Sequence, residues 1–393
     1  MTAGDSHNSD DNLPLVLVTG ASGFIALHCV KKLLEGPYRV RGTVRNKDNQ
    51  KKIAPLLRLP NASTKIELVE ADLLQPVEKW KEVVAGCTYV LHIASPLNLN
   101  ATEEIVATAV QGTKAVMEAA TACPEVKKIV LTSSCAAINR EILSQFTQQD
   151  GVKNKAAVFD ETFWSDIAGE KEEWYAVSKT LAEKAAWDHW NSLSESTRPA
   201  FTVLCPSVVF GPVLSDAEHI SASILKRLMK RSTSLAHPKA SLSLVDVRDV
   251  AEAHVRALER PETDGERILI TASPSAWFAD IARWLKKGFS RYGYGITTWE
   301  CPNWVLKLYA ASGIDPESKS VVSRLGPELR FDNSKSIRLL GLEYRRMENA
   351  VKEMMHSMID QGMVKPTEKY KRKYQARNAA VLANCKKTKE RAV

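Results

Sequence analysis

Two spacings in this chain bring together side chains that could do proton chemistry. Tyr175 and Lys179 stand four residues apart in Tyr175-Ala176-Val177-Ser178-Lys179. On a helix, positions i and i+4 share one face. A free phenol titrates near pH ~10, and an ammonium beside it favours the phenolate and lowers that value. Ser134 precedes Tyr175 by 41 residues and closes the run Thr132-Ser133-Ser134. A hydroxyl placed there can hydrogen-bond an oxygen on which negative charge develops. A phenol, an ammonium and a hydroxyl together could hold and pass a proton. Each piece alone is common, and an isolated Tyr/Lys pair on a helix is more often a surface pair.

A second group suits a dinucleotide. The stretch Val18-Thr19-Gly20-Ala21-Ser22-Gly23-Phe24-Ile25-Ala26 follows a strand-like run and opens a helix-like one. Gly20 and Gly23 let backbone approach a pyrophosphate, and Ser22, Phe24 and Ile25 share the turn. The helix N-terminus there carries partial positive charge. A site for NAD usually places an acid about 20 residues on, against the ribose 2′-hydroxyl. Here the second strand ends Thr43-Val44-Arg45-Asn46, without an acid, and Lys51 and Lys52 follow. Arg45 with Lys52, or Lys51 in its place, suits a 2′-phosphate. Asp72 could take an adenine amino group or cap its own turn.

These residues need a scaffold, and the pattern supplies one. Leu13–Thr19 is a short apolar run of the kind buried on both faces of a parallel sheet. Further strand-like runs lie at Tyr38–Val44, Ile66–Glu70, Tyr89–Ile93, Lys128–Thr132 and Thr202–Leu204. Helix-like stretches alternate with them at about 48–58, 77–85, 102–122 and 174–190. This predicts an α/β fold, a doubly wound parallel sheet with a second, smaller substrate lobe. The division expected is a disordered N-terminus over 1–12 and a nucleotide-binding domain over 13–205 plus 246–265. A substrate lobe with a C-terminal helix would take 206–245 plus 266–362, and a basic tail 363–393. Asp246–Glu259 reads as a helix returning to the first domain.

Charge and composition narrow the classes. The net charge is +8, and Lys365–Val393 alone carries ten basic residues against two acids. The whole excess therefore belongs to the tail, and residues 1–364 are formally neutral. The tail is expected to be solvated and dispensable for catalysis, with contact to an anionic surface as its one possible role. No nucleic-acid partner is expected. No run is long and apolar enough to span a membrane, and the acidic first residues are not a secretory leader. The seven cysteines show no metal-ligand spacing and suit a reducing, cytoplasmic compartment. His92, on the fourth strand, reads as a packed core residue, and His254 belongs to packing.

With these motifs in hand, the chain resembles the extended short-chain dehydrogenase/reductases. More closely it is similar to the dihydroflavonol reductase-like branch, which also holds cinnamoyl-CoA reductases and yeast-type carbonyl reductases. The likeness is carried, in family order, by TGASGFIA (Thr19–Ala26), TVRN (Thr43–Asn46), ADL (Ala71–Leu73) and LTSSCAAIN (Leu131–Asn139). FDETFWSD (Phe159–Asp166), WYAVSKTLAEKAAW (Trp174–Trp187), CPSVVFGP (Cys205–Pro212) and VDVRDVAEAH (Val245–His254) complete it.

The resemblance implies a Ser-Tyr-Lys site of Ser134, Tyr175 and Lys179 acting with NADP(H). It implies that Lys179 also holds the nicotinamide ribose, that Leu73 lies with Asp72 in the cofactor site, and that the backbone at Pro206 and Val208 faces the nicotinamide. Asn139 matches the asparagine that contacts the flavonoid in that branch. Where cinnamoyl-CoA reductases carry NWYCY this chain has EWYAV, and beyond Gly211 no likeness to the plant enzymes is expected. The expected partner is a small carbonyl or alcohol of moderate size. Alternatives are a 3β-hydroxysteroid dehydrogenase-like enzyme, a sugar-nucleotide epimerase or a non-enzymatic dinucleotide-binding scaffold. The first two sit poorly with Arg45, and the last with an intact Ser134, Tyr175 and Lys179.

Overall fold

A computed structural model describes residues 12–96, 102–139, 158–167, 174–230, 236–313 and 328–374, with residues 322, 325 and 326. The expected disorder of the first residues falls on 1–11, outside the described residues. The first elements are β1 (Leu15–Val18), α1 (Phe24–Glu35), β2 (Arg39–Val44), α2 (Gln50–Leu57) and β3 (Ile66–Glu70). Then come α3 (Val77–Val84), β4 (Tyr89–His92), α4 (Glu103–Thr121) and β5 (Lys128–Thr132). The unit closes with α5 (Trp174–Ser192), β6 (Ala200–Pro206), α6 (Val247–Glu259) and β7 (Glu266–Ile270). The seven strands form one sheet in the order β7-β6-β5-β4-β1-β2-β3, and every pairing is parallel. This is the doubly wound α/β sheet the alternation predicts. Strand order reverses between β1 and β4, the point where such sheets bind ligands at their carboxyl ends.

The apolar runs explain the burial. Val16, Leu17, Val18, Val90, Leu91, Ile129 and Val130 are fully enclosed, as strands covered by helices on both faces require. Glycine permits two close approaches. A Cβ on Gly42 would sit 2.8 Å from the Ala21 Cβ, and one on Gly112 would sit 2.9 Å from the Leu73 Cβ. The first lets β2 lie under the glycine turn; the second lets α4 close on the segment after β3.

The chain divides into two units: 1–210 with 243–275 and 329–346, and 211–242 with 276–328 and 347–393. The sequence reading placed 206–245 and 266–362 in the smaller lobe, but 206–210, 243–245, 266–275 and 329–346 belong to the main unit. Glu266–Ile270 is instead the edge strand of the main sheet, in register with Thr202–Pro206 of β6. Five residues between Gly265 and Pro274 carry too little pattern to reveal a partner 64 positions earlier.

The second unit contains helices Ile220–Met229, Phe278–Phe289 and Met347–Asp360. Here the tail departs from expectation. Tyr370 is only 3 % exposed and its hydroxyl lies 2.8 Å from His356 Nδ1. Tyr374 stacks on His356 with ring centroids 4.7 Å apart. The Thr367 hydroxyl bonds the Tyr292 carbonyl, and the Tyr294 hydroxyl donates to the Lys365 carbonyl at 3.1 Å. The first dozen residues of the supposed appendage thus pack within this unit. The charge count concealed Tyr370 and Tyr374, whose four-residue spacing puts both rings on one helical face.

Candidate active site

The glycine turn is built by its backbone. Gly20 has φ +63°, a left-handed conformation that favours glycine. Its N–H donates to Thr43 Oγ1 at 2.8 Å, and a Cβ there would meet the Ala94 Cβ at 3.1 Å. Gly23 N donates to the Gly20 carbonyl at 2.8 Å. Gly23 stands at the start of α1 with no side-chain cap, and no acid occupies the first turn. The first turn of the helix thus offers no acid of its own to offset its positive end, which suits an anion. Ser22, Phe24 and Ile25 are partly exposed along the same turn.

Arg45 and Lys52 are both exposed, at the end of β2 and in the first turn of α2. The Asn49 side chain caps α2 by accepting from Lys52 N at 3.3 Å. Asp72 uses Oδ1 to accept from Leu74 N at 3.0 Å, so it caps its turn and keeps one oxygen for another donor. Leu73 packs against the core beside α4. Val208 N donates to the Ser243 carbonyl at 3.0 Å, directly after Pro206 ends β6.

Ser134, Tyr175 and Lys179 come together where β5 ends and α5 begins. The Ser134 Oγ accepts from Ala136 N at 3.1 Å, and its hydroxyl bonds the Tyr175 oxygen. Lys179 is 7 % exposed and donates to the Thr132 carbonyl at 3.3 Å. Thr132 is in turn tied to α6, its Oγ1 lying 2.7 Å from His254 Nε2 while His254 Nδ1 contacts the Val250 carbonyl at 2.7 Å. Burial pushes the Lys179 ammonium down to about 8. Burial pushes the Tyr175 phenol up to about 12, with the Ser134 hydrogen bond pulling the other way. The sequence reading expected a lowered phenol; in the protein alone, desolvation of the phenolate outweighs its neighbours. Asn139 ends the same turn, partly buried, its N–H donating to the Cys135 carbonyl at 3.2 Å.

Two buried polar atoms near the strand ends lack a partner, His92 Nε2 and Ser207 Oγ. Thr19 Oγ1 accepts from Ile93 N at 3.0 Å and Ala94 N at 2.9 Å. Its proton therefore goes to His92 Nδ1, 2.9 Å away, and the imidazole keeps its own proton on Nε2. Burial, with Lys179 adding to it, pushes His92 down to about 3, so it is neutral and packed. An unsatisfied buried donor and hydroxyl beside an open glycine turn fit a polar ligand along the carboxyl ends of the strands.

Sequence reasoning missed Glu183 and Arg267. They form a buried ion pair, Arg267 Nε to Glu183 Oε1 at 2.5 Å, with 8 % and 0 % of their side chains exposed. Only the spacing Tyr175, Lys179, Glu183 on one helix face hinted at it.

A doubly wound sheet with this turn and this tyrosine and lysine on α5 defines an extended short-chain dehydrogenase/reductase. The profile of the NAD dependent epimerase/dehydratase family matches residues 16–271, and the chain belongs to that family. It is 34% identical to cinnamoyl-CoA reductase 1 of Arabidopsis thaliana over 355 residues, 89% of this chain and 91% of that one. It is 33% identical to dihydroflavonol 4-reductase of Hordeum vulgare, over 72% of this chain and 77% of that one. Among solved structures, Gre2 of Candida albicans in complex with NADPH is similar at a TM-score of 0.68 and 30% identity, covering 88% of this chain and 99% of that one. Alignments of 349 to 360 residues with plant reductases necessarily run through the second unit. The expectation of no likeness beyond Gly211 is therefore corrected: the aligned region continues past the recognisable motifs.

Proposed function

We propose that this chain is an NADP(H)-dependent oxidoreductase that reduces an aldehyde or ketone to the alcohol. The observation that carries this is the meeting of Ser134, Tyr175 and Lys179 at the carboxyl end of β5, in a parallel sheet whose first strand runs into the glycine turn and whose second is followed by Arg45 rather than an acid. The NADPH bound by Gre2 of Candida albicans supports the cofactor. Gly20, Ser22, Gly23, Phe24 and Ile25 would hold the pyrophosphate, and Arg45 with Lys52 the 2′-phosphate. Asp72 and Leu73 would border the adenine, Lys179 the ribose, and Pro206 with Val208 the nicotinamide. Bound there, the cofactor supplies the hydride.

The chain's own residues manage the proton. Tyr175 donates its phenolic proton to the substrate oxygen, and Ser134 hydrogen-bonds that oxygen as charge grows on it. The Lys179 ammonium offsets the phenolate left behind. Asn139 orients the substrate. The six described cysteines are free thiols, which fits a reducing cytoplasmic setting. No helix among the described residues is long and apolar enough to cross a membrane.

The test is a panel of aldehydes and ketones with NADPH and NADH, followed by the absorbance of the reduced nicotinamide. Consumption of NADPH with at least one carbonyl class supports the reading. No turnover across a broad panel, with NADPH demonstrably bound, would favour the dinucleotide-binding scaffold.

A further inference from the structure

The buried polar groups that this chemistry leaves unused converge one helical turn beyond Lys179. Glu183 accepts from Arg267 Nε through Oε1 at 2.5 Å and from Arg267 Nη2 through Oε2 at 3.2 Å. The same Oε2 accepts from Ser133 Oγ at 2.5 Å. Arg267 also donates through Nη1 to the carbonyls of Glu161 at 2.9 Å and Phe163 at 2.7 Å. Through Nη2 it donates to the Ala137 carbonyl at 3.2 Å. A guanidinium has five N–H donors, and all five are matched. Its Cζ lies over the Trp164 ring, 3.9 Å from the ring centre. One side chain on edge strand β7 thereby joins α5, the turn Ser133–Ala137 and the segment Glu161–Trp164.

A buried ion pair is a poor source of stability, because desolvation cancels most of its Coulombic gain. Its placement suggests another use. Ser133 is the neighbour of Ser134, and Ala137 ends the turn that Ser134 itself caps. Ser165 holds that turn from another side, its N–H on the Ala137 carbonyl at 2.9 Å and its hydroxyl on the Ala136 carbonyl at 2.7 Å.

We propose that Glu183 and Arg267 are positioning residues for Ser134: they clamp the Ser133–Ala137 turn to α5 so that the Ser134 hydroxyl stays on the Tyr175 oxygen. This rests on the Ser-Tyr-Lys reading above. Losing the clamp would displace the hydroxyl from the developing charge without emptying the cofactor site, and small displacements of this kind are costly to rate.

Arg267→Lys keeps the charge but cannot reproduce the planar five-donor fork. Ser133→Ala deletes a single hydroxyl and leaves the ion pair in place, so it tests the clamp even where the first variant folds poorly. Each should lower kcat at least about tenfold, with KM for NADPH and its Kd by fluorescence titration unchanged. Ser134→Ala, expected to cost the parent about 10²–10³-fold, should cost the Arg267→Lys protein far less, because coupled residues are not additive. In the cofactor-free protein, the Ala136 and Ala137 amides should exchange hydrogen faster in Arg267→Lys. Unchanged kcat in both variants, or an undiminished Ser134→Ala effect in the Arg267→Lys background, would overturn the clamp alone. Intact turnover in Ser134→Ala and Tyr175→Phe of the parent would overturn the Ser-Tyr-Lys reading, and the clamp with it.

Discussion

Burial acts on Tyr175 and Lys179 in opposite directions, and the pair is useful because of it. The phenol, pushed up to about 12, carries its proton at neutral pH and can give it away. The ammonium, pushed down to about 8, loses its charge as pH rises through that value. Reduction should therefore slow as pH rises past about 8, because a neutral Lys179 no longer offsets the phenolate. A pH profile of kcat at saturating NADPH checks this. Lys179→Arg, whose guanidinium stays charged, should move the decline to higher pH; an identical profile in both proteins would count against Lys179 as its origin. At the other end of the cofactor, each of the charge-assisted contacts proposed for Arg45 and Lys52 would be worth about 1.5–3 kcal/mol. The parent should accordingly prefer NADPH over NADH by about tenfold or more in kcat/KM. Replacing both residues by Ala should erase that preference and leave NADH turnover nearly unchanged. Equal efficiency of the two cofactors in the parent would remove this assignment.

Among the elements, those of the nucleotide-binding half were legible where local pattern is strong. Strands buried on both faces announce themselves as apolar runs, and the glycine turn is marked by its place between strand and helix. What escaped was non-local. Glu183 and Arg267 stand 84 positions apart, and a charge in a sequence reads as solvated until its partner is seen. The edge strand Glu266–Ile270 was hidden for the same reason. The C-terminal segment was misread because its lysines outnumber its tyrosines, although the rings of Tyr370, Tyr374, Tyr292 and Phe289 gather around His356. Removing a buried aromatic ring costs about 3 kcal/mol or more. Tyr370→Ala should thus lower the Tm by several degrees, and truncation after Gly362 should lower it further. Truncation after Tyr374 should leave Tm and activity unchanged. Equal Tm for the full chain and the Gly362 truncation would show that these ring contacts contribute nothing. For residues 375–393 the proposed role is salt-sensitive contact with an anionic surface.

Across the whole molecule, the net charge of +8 gathers at the C-terminal end and leaves a formally neutral body. That balance suits a protein that draws in its anionic cofactor through a few local charges rather than a global field. The central claim is that one phenol, supported by Ser134 and Lys179, delivers the proton to a reduced carbonyl. Tyr175→Phe tests it most directly, since it deletes the proton donor and keeps the ring. NADPH affinity and turnover of the best substrate should be measured on the same preparation. The account predicts unchanged NADPH binding with kcat lowered by about 10²–10⁴-fold. A Tyr175→Phe protein that binds NADPH and keeps most of its kcat would contradict it.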